Sequence, residues 1–371
     1  MDRRKIAGIE QLRGLAALAV VVCHTVGQFC GIDRYAPGPE KLLGWAGQVG
    51  VAVFFVVSGF CIRLPLARAR AADPGARLEV RDYLNHRFLR IIPPYWLALA
   101  LSIAIGQVAG SGLLDGAHGP ANVLVHVLGL HALFPSTFTS INGVFWSIGL
   151  ELEFYLAYLL VADRRATLRS ALGFLILAVL TYGAASVLFP RPDPWRLVGQ
   201  QFVLATFWQW YLGVVLADAY VRAGPLFTSA GRMWSARLAA VALCFVLGLA
   251  DPVVAGVHLT YWALPLAAAA VTASFLLEPI RDRGPGPAGE ASSFTGRISY
   301  SLYLMHPIAI AVAALAVKEG LIPPSWTAAG VAMVASVLAA WVSYRLVELP
   351  LLARKRRLTR TVEPAALQPG E

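Results

Sequence analysis

The sequence predicts an all-α membrane protein of about ten transmembrane helices, with both termini in the cytoplasm. Three observations predict this class: the composition, the spacing of the apolar runs and the distribution of basic residues. The 371 residues are 58% hydrophobic and 14% charged, with a mean hydropathy of +0.64. Soluble domains carry about 25% charged residues. A soluble core does not bury so large an apolar fraction, so the composition indicates a polytopic membrane protein.

The apolar runs define the helices in chain order. Each run is taken as long enough to cross a hydrocarbon core about 30 Å thick. The predicted spans are residues 12–30, 43–64, 88–110, 143–162, 169–189, 200–221, 236–250, 257–277, 298–317 and 327–349. A further run at 121–135 is interrupted by His126, His131 and Pro135. It predicts an interfacial or re-entrant piece, the alternative being an extra span.

The basic residues set the orientation. With a cytoplasmic N-terminus, the inner side holds all of the 31 lysines and arginines except Arg34, Lys41, Arg191, Arg196 and Lys318. This asymmetry is typical of cytoplasmic loops and favours an even number of spans. It also explains the net charge of +10, so no nucleic-acid partner is expected. If 121–135 crossed the membrane, every later loop would invert and the asymmetry would be lost.

The organisation along the chain is simple. Residues 1–352 are expected to form one transmembrane domain, and residues 353–371 a basic and then disordered cytoplasmic tail. The start, Arg3-Arg4-Lys5, imitates a signal peptide, but no small-residue cleavage site follows. The first run is therefore interpreted as an uncleaved span. The four cysteines show no CxxC pair or metal spacing, which indicates neither disulfides nor zinc.

The first span carries two ionisable residues, Arg13 at its start and His24 within it. Eleven residues of helix rise about 16 Å. With Arg13 at one membrane face, His24 therefore lies near the middle. An ionisable group at that depth is costly and by default indicates function. The alternative is a packed polar residue that is hydrogen-bonded between helices.

The second and third spans each hold a motif with a structural and a functional interpretation. Ser58 and Gly59 are typical of close helix packing, or mark a groove in which a glycine lets a ligand approach. Arg87 and Arg90 share one helix face at the start of the third span. They either extend to lipid phosphates or clamp a phosphate-bearing ligand, for which the bidentate guanidinium group is suited.

The fourth span contains two carboxylates, Glu151 and Glu153. Glu151 lies about 12 Å from the outer end of its span, close to the depth predicted for His24. The two carboxylates are about 200° apart around a helix, so they cannot both face one site. One is expected to serve the site and the other to hold a neighbouring helix. Position alone does not distinguish them.

The ninth span places His306 at mid-depth, beside Pro307. Proline is expected to kink this helix and free backbone carbonyls. A structural polar residue beside the kink is the favoured interpretation of His306, and a site residue is the alternative. His118, His126 and His131 lie in an irregular region without a recognised ligand spacing, so no metal is expected.

Five motifs, in order and on the expected spans, resemble the acyltransferase-3 family of integral-membrane acyltransferases. The chain is similar to the family's stand-alone membrane form, because it ends soon after the tenth span. The motifs are LRGLAALAVVVCH at 12–24, GVAVFFVVSGFCI at 50–62, RFLRIIPPYW at 87–96, WSIGLELEFY at 146–155 and SYSLYLMHP at 299–307.

The resemblance implies about ten core spans and transfer of an acyl group, most commonly acetyl, from acyl-CoA to a sugar or other hydroxyl. The family's arginine and histidine, separated by ten intervening residues, correspond to Arg13 and His24. Its paired arginines correspond to Arg87 and Arg90, and the acid of its tryptophan-serine motif corresponds to Glu151. Two departures concern substrate selectivity more than chemistry: Ala52 replaces a polar residue, and Glu153 replaces glutamine.

The resulting hypothesis is O-acyl transfer with His24 as general base, because a neutral histidine can accept a hydroxyl proton at physiological pH. Glu151 would orient the ring or stabilise its charged form, as the acid of a triad does. The other site residues are expected to bind acyl-CoA: Arg13, Arg87 and Arg90 its phosphates, and Ser58, Gly59 and Tyr155 its pantetheine or acyl chain.

Several alternatives stay open at this point. In a variant of the mechanism, His24 or Ser58 carries the acyl group covalently. A polytopic transporter or flippase without acyl chemistry also fits ten spans with ionisable residues at the midplane, and a lipid-binding or sensing membrane protein is a third class. The expected partners are acyl-CoA, a carbohydrate or glycoconjugate acceptor and the lipid bilayer. The expected location is the plasma (cytoplasmic) membrane.

Overall fold

The computed structural model describes residues 7–36, 38–110, 119–223, 230–250, 253–254, 257–276 and 287–353. Within these ranges the chain is mostly helical. A 3-10 turn covers His131–Leu133 and a π-helical turn covers Tyr344–Glu348. The other elements are α1 (Ala7–Cys30), α2 (Lys41–Ala72), α3 (Val80–Val108), α4 (Gly119–Val127), α5 (Phe145–Leu159), α6 (Leu168–Leu188), α7 (Trp195–Gln201), α8 (Val203–Ala223), α9 (Ala230–Ala250), β1 (Val253–Val254), β2 (Val257–His258), α10 (Thr260–Leu276), α11 (Pro287–Arg297), α12 (Ser299–Lys318) and α13 (Trp326–Ser343).

Each of the ten predicted spans coincides with a helix, which confirms the all-α membrane class. Trp234–Ala250 and Thr260–Leu276 are apolar but shorter than a full span, and α5 has 15 residues. The number of ten crossings and the cytoplasmic termini therefore stay predictions, since residues 1–6 and 354–371 lie outside the described residues. Within the described ranges, seven segments are long and apolar enough to cross a membrane: Gly8–Cys30, Lys41–Ala72, Val80–Val108, Leu168–Leu188, Trp195–Ala223, Ser299–Lys318 and Trp326–Ala353.

Residues 121–135 hold no helix long enough to cross the membrane. Helix α4 has nine residues and rises about 14 Å, less than half of the hydrocarbon thickness. The chain stays inside the protein beyond it, because Phe138, Ile141 and Asn142 are buried. This course agrees with the interfacial or re-entrant interpretation, and it makes α5 begin within the protein rather than at its surface.

The histidines of this region have structural partners. His126 and His131 stack with ring centroids 4.5 Å apart. Their ring nitrogens lie 2.9 Å from the Asn122 carbonyl and 2.7 Å from the Phe145 carbonyl. Burial lowers the pKa of His131 to about 4. His118 lies outside the described residues, and within the described ranges no group of three or more His, Cys, Asp or Glu side chains could hold a metal ion.

Helix α2 is the centre of the packing and contacts α1, α8, α9 and α10. Glycines set its closest approaches. A Cβ atom added at Gly50 would lie 2.6 Å from the carbonyl oxygen of Ala16 on α1, and one at Gly213 of α8 would lie 1.9 Å from the carbonyl oxygen of Val56. Small residues bring helix backbones together in this way in membranes, where packing replaces the hydrophobic effect.

A buried ion pair joins α2 to α8. The Nε atom of Arg63, a residue 1% exposed, donates to Asp218 Oδ1 at 2.7 Å, and its Nη2 atom donates to Oδ2 at 2.9 Å. The guanidinium group also donates to the carbonyl of Ala162, and the N–H of Ala166 donates to Asp218. The pair therefore connects α2, α8 and the α5–α6 turn through fully satisfied polar groups.

We predict that Asp218→Asn lowers the free energy of unfolding by about 3–5 kcal/mol, because it leaves a buried guanidinium charge without its counter-ion. Asp163→Asn is the matched control. Its pair with Arg70 is exposed, with 57% of the Asp163 side chain accessible, and such pairs contribute about 1 kcal/mol or less. Reversible unfolding in mixed micelles measures both variants. Equal losses would contradict a special role for the buried pair.

Candidate functional site

A cavity of about 80 Å³, which we call the inner cavity, lies between α1, α2, α3, α5 and α12. Its wall also includes Ser147, Tyr300 and Tyr303, which the sequence analysis did not identify. Most of the predicted site residues converge there: Arg13, Ser58, Arg87, Arg90, Glu151 and Tyr155.

The three arginines of the inner cavity are not neutralised by direct contacts. In the part of the chain that the structure describes, Arg13, Arg87 and Arg90 make no hydrogen bond or salt bridge. The Arg87 guanidinium lies 5.8 Å from the ring centroid of Tyr155, and its buried Nε atom has no hydrogen-bond partner. Guanidinium groups with free donors around one cavity are suited to bind an anion, above all a phosphate.

Glu151 organises the hydroxyl groups of the cavity. Its Oε1 atom accepts a hydrogen bond from Ser58 Oγ at 2.7 Å and another from the hydroxyl of Tyr155, one turn further along α5. Glu151 also attracts Arg13 and Arg90 electrostatically. The carboxylate therefore links α2 to α5 and lowers the positive potential of the cavity without occupying the arginine donors.

Glu153 has a different place. It does not line the inner cavity and interacts with the backbone of Val203 at the start of α8. The structure thus assigns Glu151 to the cavity and Glu153 to a helix contact, a choice that the sequence left open.

His24 lies outside the inner cavity and pairs with another histidine. Its Nδ1 atom is 3.1 Å from Nε2 of His306, and the rings stack with centroids 5.1 Å apart. The His306 ring contacts Tyr303 at 5.8 Å, and Tyr303 lines the inner cavity. Tyr303 and His306 therefore connect the inner cavity to the exposed ring of His24.

The structure does not join the two predicted catalytic residues. Among the described residues, Glu151 bonds to Ser58 and Tyr155, and His24 bonds to His306. The prediction that they lie at a similar depth assumed that the fourth span begins at the membrane surface, whereas Phe145, the first residue of α5, is buried in the protein. His24 lies near the first turns of α2, since the neighbouring Cys23 donates to the Gly44 carbonyl at 3.1 Å.

Glu348 is a buried carboxylate that the sequence analysis missed. It is 4% exposed, belongs to the π-helical turn after α13 and accepts a hydrogen bond from Ser301 at 3.0 Å. Arg90 and Arg13 attract it electrostatically. An acidic residue inside the tenth apolar run was a signal that could have identified it, and π-helical turns are frequent at functional sites.

An outer cavity of about 380 Å³ lies on the other side of Val51 and Phe55, which line both cavities. Its wall is rich in aromatic rings and side-chain amides. These side chains include Trp45, Gln48, Trp146, Gln209 and Tyr261. The outer cavity begins at the α1–α2 loop, where Arg34 contributes to its wall, so it opens on the side opposite the arginines of the inner cavity.

Gly59 does not line the inner cavity. A Cβ atom at this position would lie 2.1 Å from the backbone carbonyl oxygen of Trp210 on α8. This contact corresponds to the close-packing interpretation of the Ser58–Gly59 motif: Ser58 faces the cavity, and the next residue faces the neighbouring helix.

We predict that Gly59→Ala lowers the free energy of unfolding by about 1–3 kcal/mol, because the methyl group overlaps a backbone atom that cannot move alone. Gly173→Ala on α6 is the matched control, since a Cβ atom there meets nothing within 4 Å. Thermal unfolding in detergent measures both variants. A Gly59→Ala protein of unchanged stability but altered ligand binding would instead favour the ligand-groove interpretation.

Comparison with known proteins identifies the family. The acyltransferase-3 family model, described as an acyltransferase domain, matches residues 6–345. The exopolysaccharide production protein ExoZ of Rhizobium meliloti (strain 1021) is 29% identical over 323 residues, 84% of this chain and 91% of ExoZ. The putative peptidoglycan O-acetyltransferase YrhL of Bacillus subtilis (strain 168) is 26% identical over 214 residues, 52% of this chain and 30% of YrhL.

Acyltransferase MdmB of Streptomyces mycarofaciens is 25% identical over 162 residues, 42% of this chain and 38% of MdmB. No solved structure matches significantly. The family match extends over nearly the whole chain and includes every element that lines the inner cavity. The chain therefore belongs to the acyltransferase-3 family of membrane acyltransferases.

Proposed function

We propose that this protein is a plasma-membrane O-acyltransferase that moves an acyl group, such as acetyl, from cytoplasmic acyl-CoA to a hydroxyl of a sugar or glycoconjugate. The observation that carries the proposal is the convergence on one cavity of three arginines that make no hydrogen bond or salt bridge to another described residue, in a member of this family. The names of two relatives, one for exopolysaccharide production and one for peptidoglycan O-acetylation, support a carbohydrate acceptor.

The inner cavity is the proposed donor site. The free donors of Arg13, Arg87 and Arg90 would bind the phosphates of coenzyme A, where bidentate guanidinium contacts are strong. The pantetheine arm would then extend past Ser58 and Tyr155, whose hydroxyl groups are held by Glu151. In this role Glu151 shapes the donor path rather than orienting His24.

The outer cavity is the proposed acceptor site. Aromatic rings such as Trp45, Trp146 and Tyr261 offer apolar faces on which the C–H faces of a sugar can stack. The amides of Gln48 and Gln209 offer both donors and acceptors to hydroxyl groups. A pocket with this mixture fits a neutral saccharide. Val51 and Phe55 separate it from the donor site, so the acyl group and the acceptor would meet across one shared wall.

His24 is the proposed general base. Its ring is exposed and lies near the α2 turns that supply Trp45 and Gln48 to the outer cavity. The hydroxyl proton passes to His24 as the hydroxyl oxygen attacks the thioester carbonyl carbon. The carbon–sulfur bond breaks, and the departing CoA thiolate takes the proton from His24. The products are the ester and the free thiol of coenzyme A.

We predict that purified protein in nanodiscs releases free thiol from acetyl-CoA in the presence of a saccharide acceptor, and that His24→Ala lowers kcat by about 10²–10⁴-fold. Acetyl-CoA binding is expected to be unchanged, because His24 does not line the inner cavity. Release of thiol is followed with a thiol reagent, and binding by thermal stabilisation with CoA.

Two outcomes would contradict the proposal. Equal thiol release by the wild type and His24→Ala would exclude His24 as the base. If the folded wild-type protein neither binds CoA nor releases thiol with any of a panel of saccharides, this result would contradict the proposed acyltransferase activity. It would favour the alternative interpretation as a transporter.

We predict that Arg90→Gln raises the Kd for acetyl-CoA about 10–100-fold, the effect of losing a charge-assisted hydrogen bond of about 1.5–3 kcal/mol. Arg81→Gln is the control: it lies on the same helix, is exposed and does not line the inner cavity. Titration calorimetry in nanodiscs measures both. An Arg90→Gln protein that binds acetyl-CoA as tightly as the control would place the CoA phosphates elsewhere.

A further inference from the structure

We propose that His306 is a positioning residue that fixes the tautomer of His24. By accepting a hydrogen bond from Nδ1–H of His24, it leaves the Nε2 atom of His24 unprotonated and able to act as the base. The inference rests on the proposed function for the role of His24 in proton transfer. The tautomer itself follows from the hydrogen bonds of two residues and can be tested separately.

The hydrogen bonds of His306 determine which of its ring nitrogens carries a hydrogen. Its Nδ1 atom lies 3.2 Å from the carbonyl oxygen of Leu302, one turn earlier on α12. A carbonyl only accepts, so Nδ1 of His306 carries a hydrogen. The ring is 0% exposed, and no carboxylate of the described residues bonds to it. A buried imidazole without an anionic partner is neutral, so its Nε2 atom holds a lone pair.

The lone pair on Nε2 of His306 in turn determines the tautomer of His24. The Nε2 atom of His306 and the Nδ1 atom of His24 are 3.1 Å apart, a hydrogen-bond distance. One of the two atoms must supply the hydrogen, and Nε2 of His306 has none to give. The donor is therefore Nδ1 of His24. Since a neutral imidazole has one N–H, the Nε2 atom of His24 holds the free lone pair.

The surroundings keep the pair in this arrangement. The two rings stack with 30° between their planes. Tyr303 meets His306 edge-on at 5.8 Å, and its hydroxyl is hydrogen-bonded to Ser147 at 2.6 Å. Because Tyr303 also lines the inner cavity, the contact that orients the base is coupled mechanically to the proposed donor site. The hydrogen bond made by one ring nitrogen of a histidine decides whether the other nitrogen can act as a base.

The arrangement also suits the charge that forms during the reaction. When Nε2 of His24 takes the hydroxyl proton, Nδ1–H becomes a stronger donor, and the lone pair of His306 accepts it. In a triad a carboxylate has this role. At the fully buried position of His306, a neutral imidazole avoids the cost of burying an additional permanent charge. His306 thus orients His24 in the resting state and stabilises the imidazolium in the transition state.

The test compares His306→Gln with His306→Leu in the thiol-release assay. The amide oxygen of glutamine can accept from Nδ1–H of His24, whereas leucine cannot. We expect His306→Leu to lower kcat about 10²-fold or more, and His306→Gln to recover at least about tenfold of that loss. The KM for acetyl-CoA should be unchanged in both, because the arginines of the inner cavity are untouched.

His126→Leu is the matched control. His126 is also 0% exposed and also places Nδ1 on the carbonyl one turn earlier, 2.9 Å from Asn122. Its Nε2 atom has no hydrogen-bond partner among the described residues. We expect the kcat of folded His126→Leu protein to equal that of the wild type. A loss of kcat in His306→Gln as large as that in His306→Leu would overturn the proposal.

Nitrogen-15 NMR of histidine-labelled full-length protein in nanodiscs gives a second readout that does not depend on activity. His24 is assigned by its absence in His24→Ala. We expect the wild type to carry the His24 proton on Nδ1, and His306→Leu to show it at least partly on Nε2. A wild-type His24 protonated on Nε2 would overturn the inference even if acyl transfer is found. An Nδ1-protonated His24 in a protein without acyl transfer would overturn the proposed function alone.

Discussion

A cation buried in a membrane protein costs free energy unless an anion or several acceptors accompany it. Arg63 meets this requirement through Asp218 and two backbone carbonyls, and its pair fastens α2 to α8. The three arginines of the inner cavity do not meet it: among the described residues none of them has a hydrogen-bonded or salt-bridged anion, and Glu151 and Glu348 attract Arg13 and Arg90 only at a distance. Helices α1, α2, α3, α5 and α12 surround these arginines, so the candidate site is arranged around positive charge that the phosphates of the proposed acyl donor would neutralise.

The sequence predicted the helices well, because an apolar run needs no tertiary information to be identified. It predicted their ends less well. The second run ends at residue 64 by hydropathy, but α2 continues to Ala72, and α3 begins at Val80 rather than at residue 88. Hydropathy marks where a helix leaves the apolar layer, whereas hydrogen bonding continues beyond it. The α2–α3 connection is therefore short, and Arg70 lies on a helix.

The sequence identified the cavity residues but not all of their partners. Arginine pairs and intramembrane acids are informative by residue type alone, and Arg87, Arg90 and Glu151 do line one cavity. Depth was a weaker guide, because counting residues assumes that each helix begins at the membrane surface. Helix α5 instead begins after the buried segment around Asn142, so this assumption does not hold for Glu151. The pairing of His24 with His306 could not be predicted, because the sequence alone does not show which helices are in contact.

Helix α1 sets the distance between the two ends of the proposed reaction. Arg13 and His24 are eleven residues apart, close to three full turns at about 3.6 residues per turn, so both project from the same face about 16 Å apart. An insertion of one residue between them would rotate His24 by about 100° around the helix and separate it from His306. A continuous helix therefore fixes both the reach required of the acyl donor and the orientation of the base. This is why one arginine and one histidine at this spacing are more informative than either residue alone.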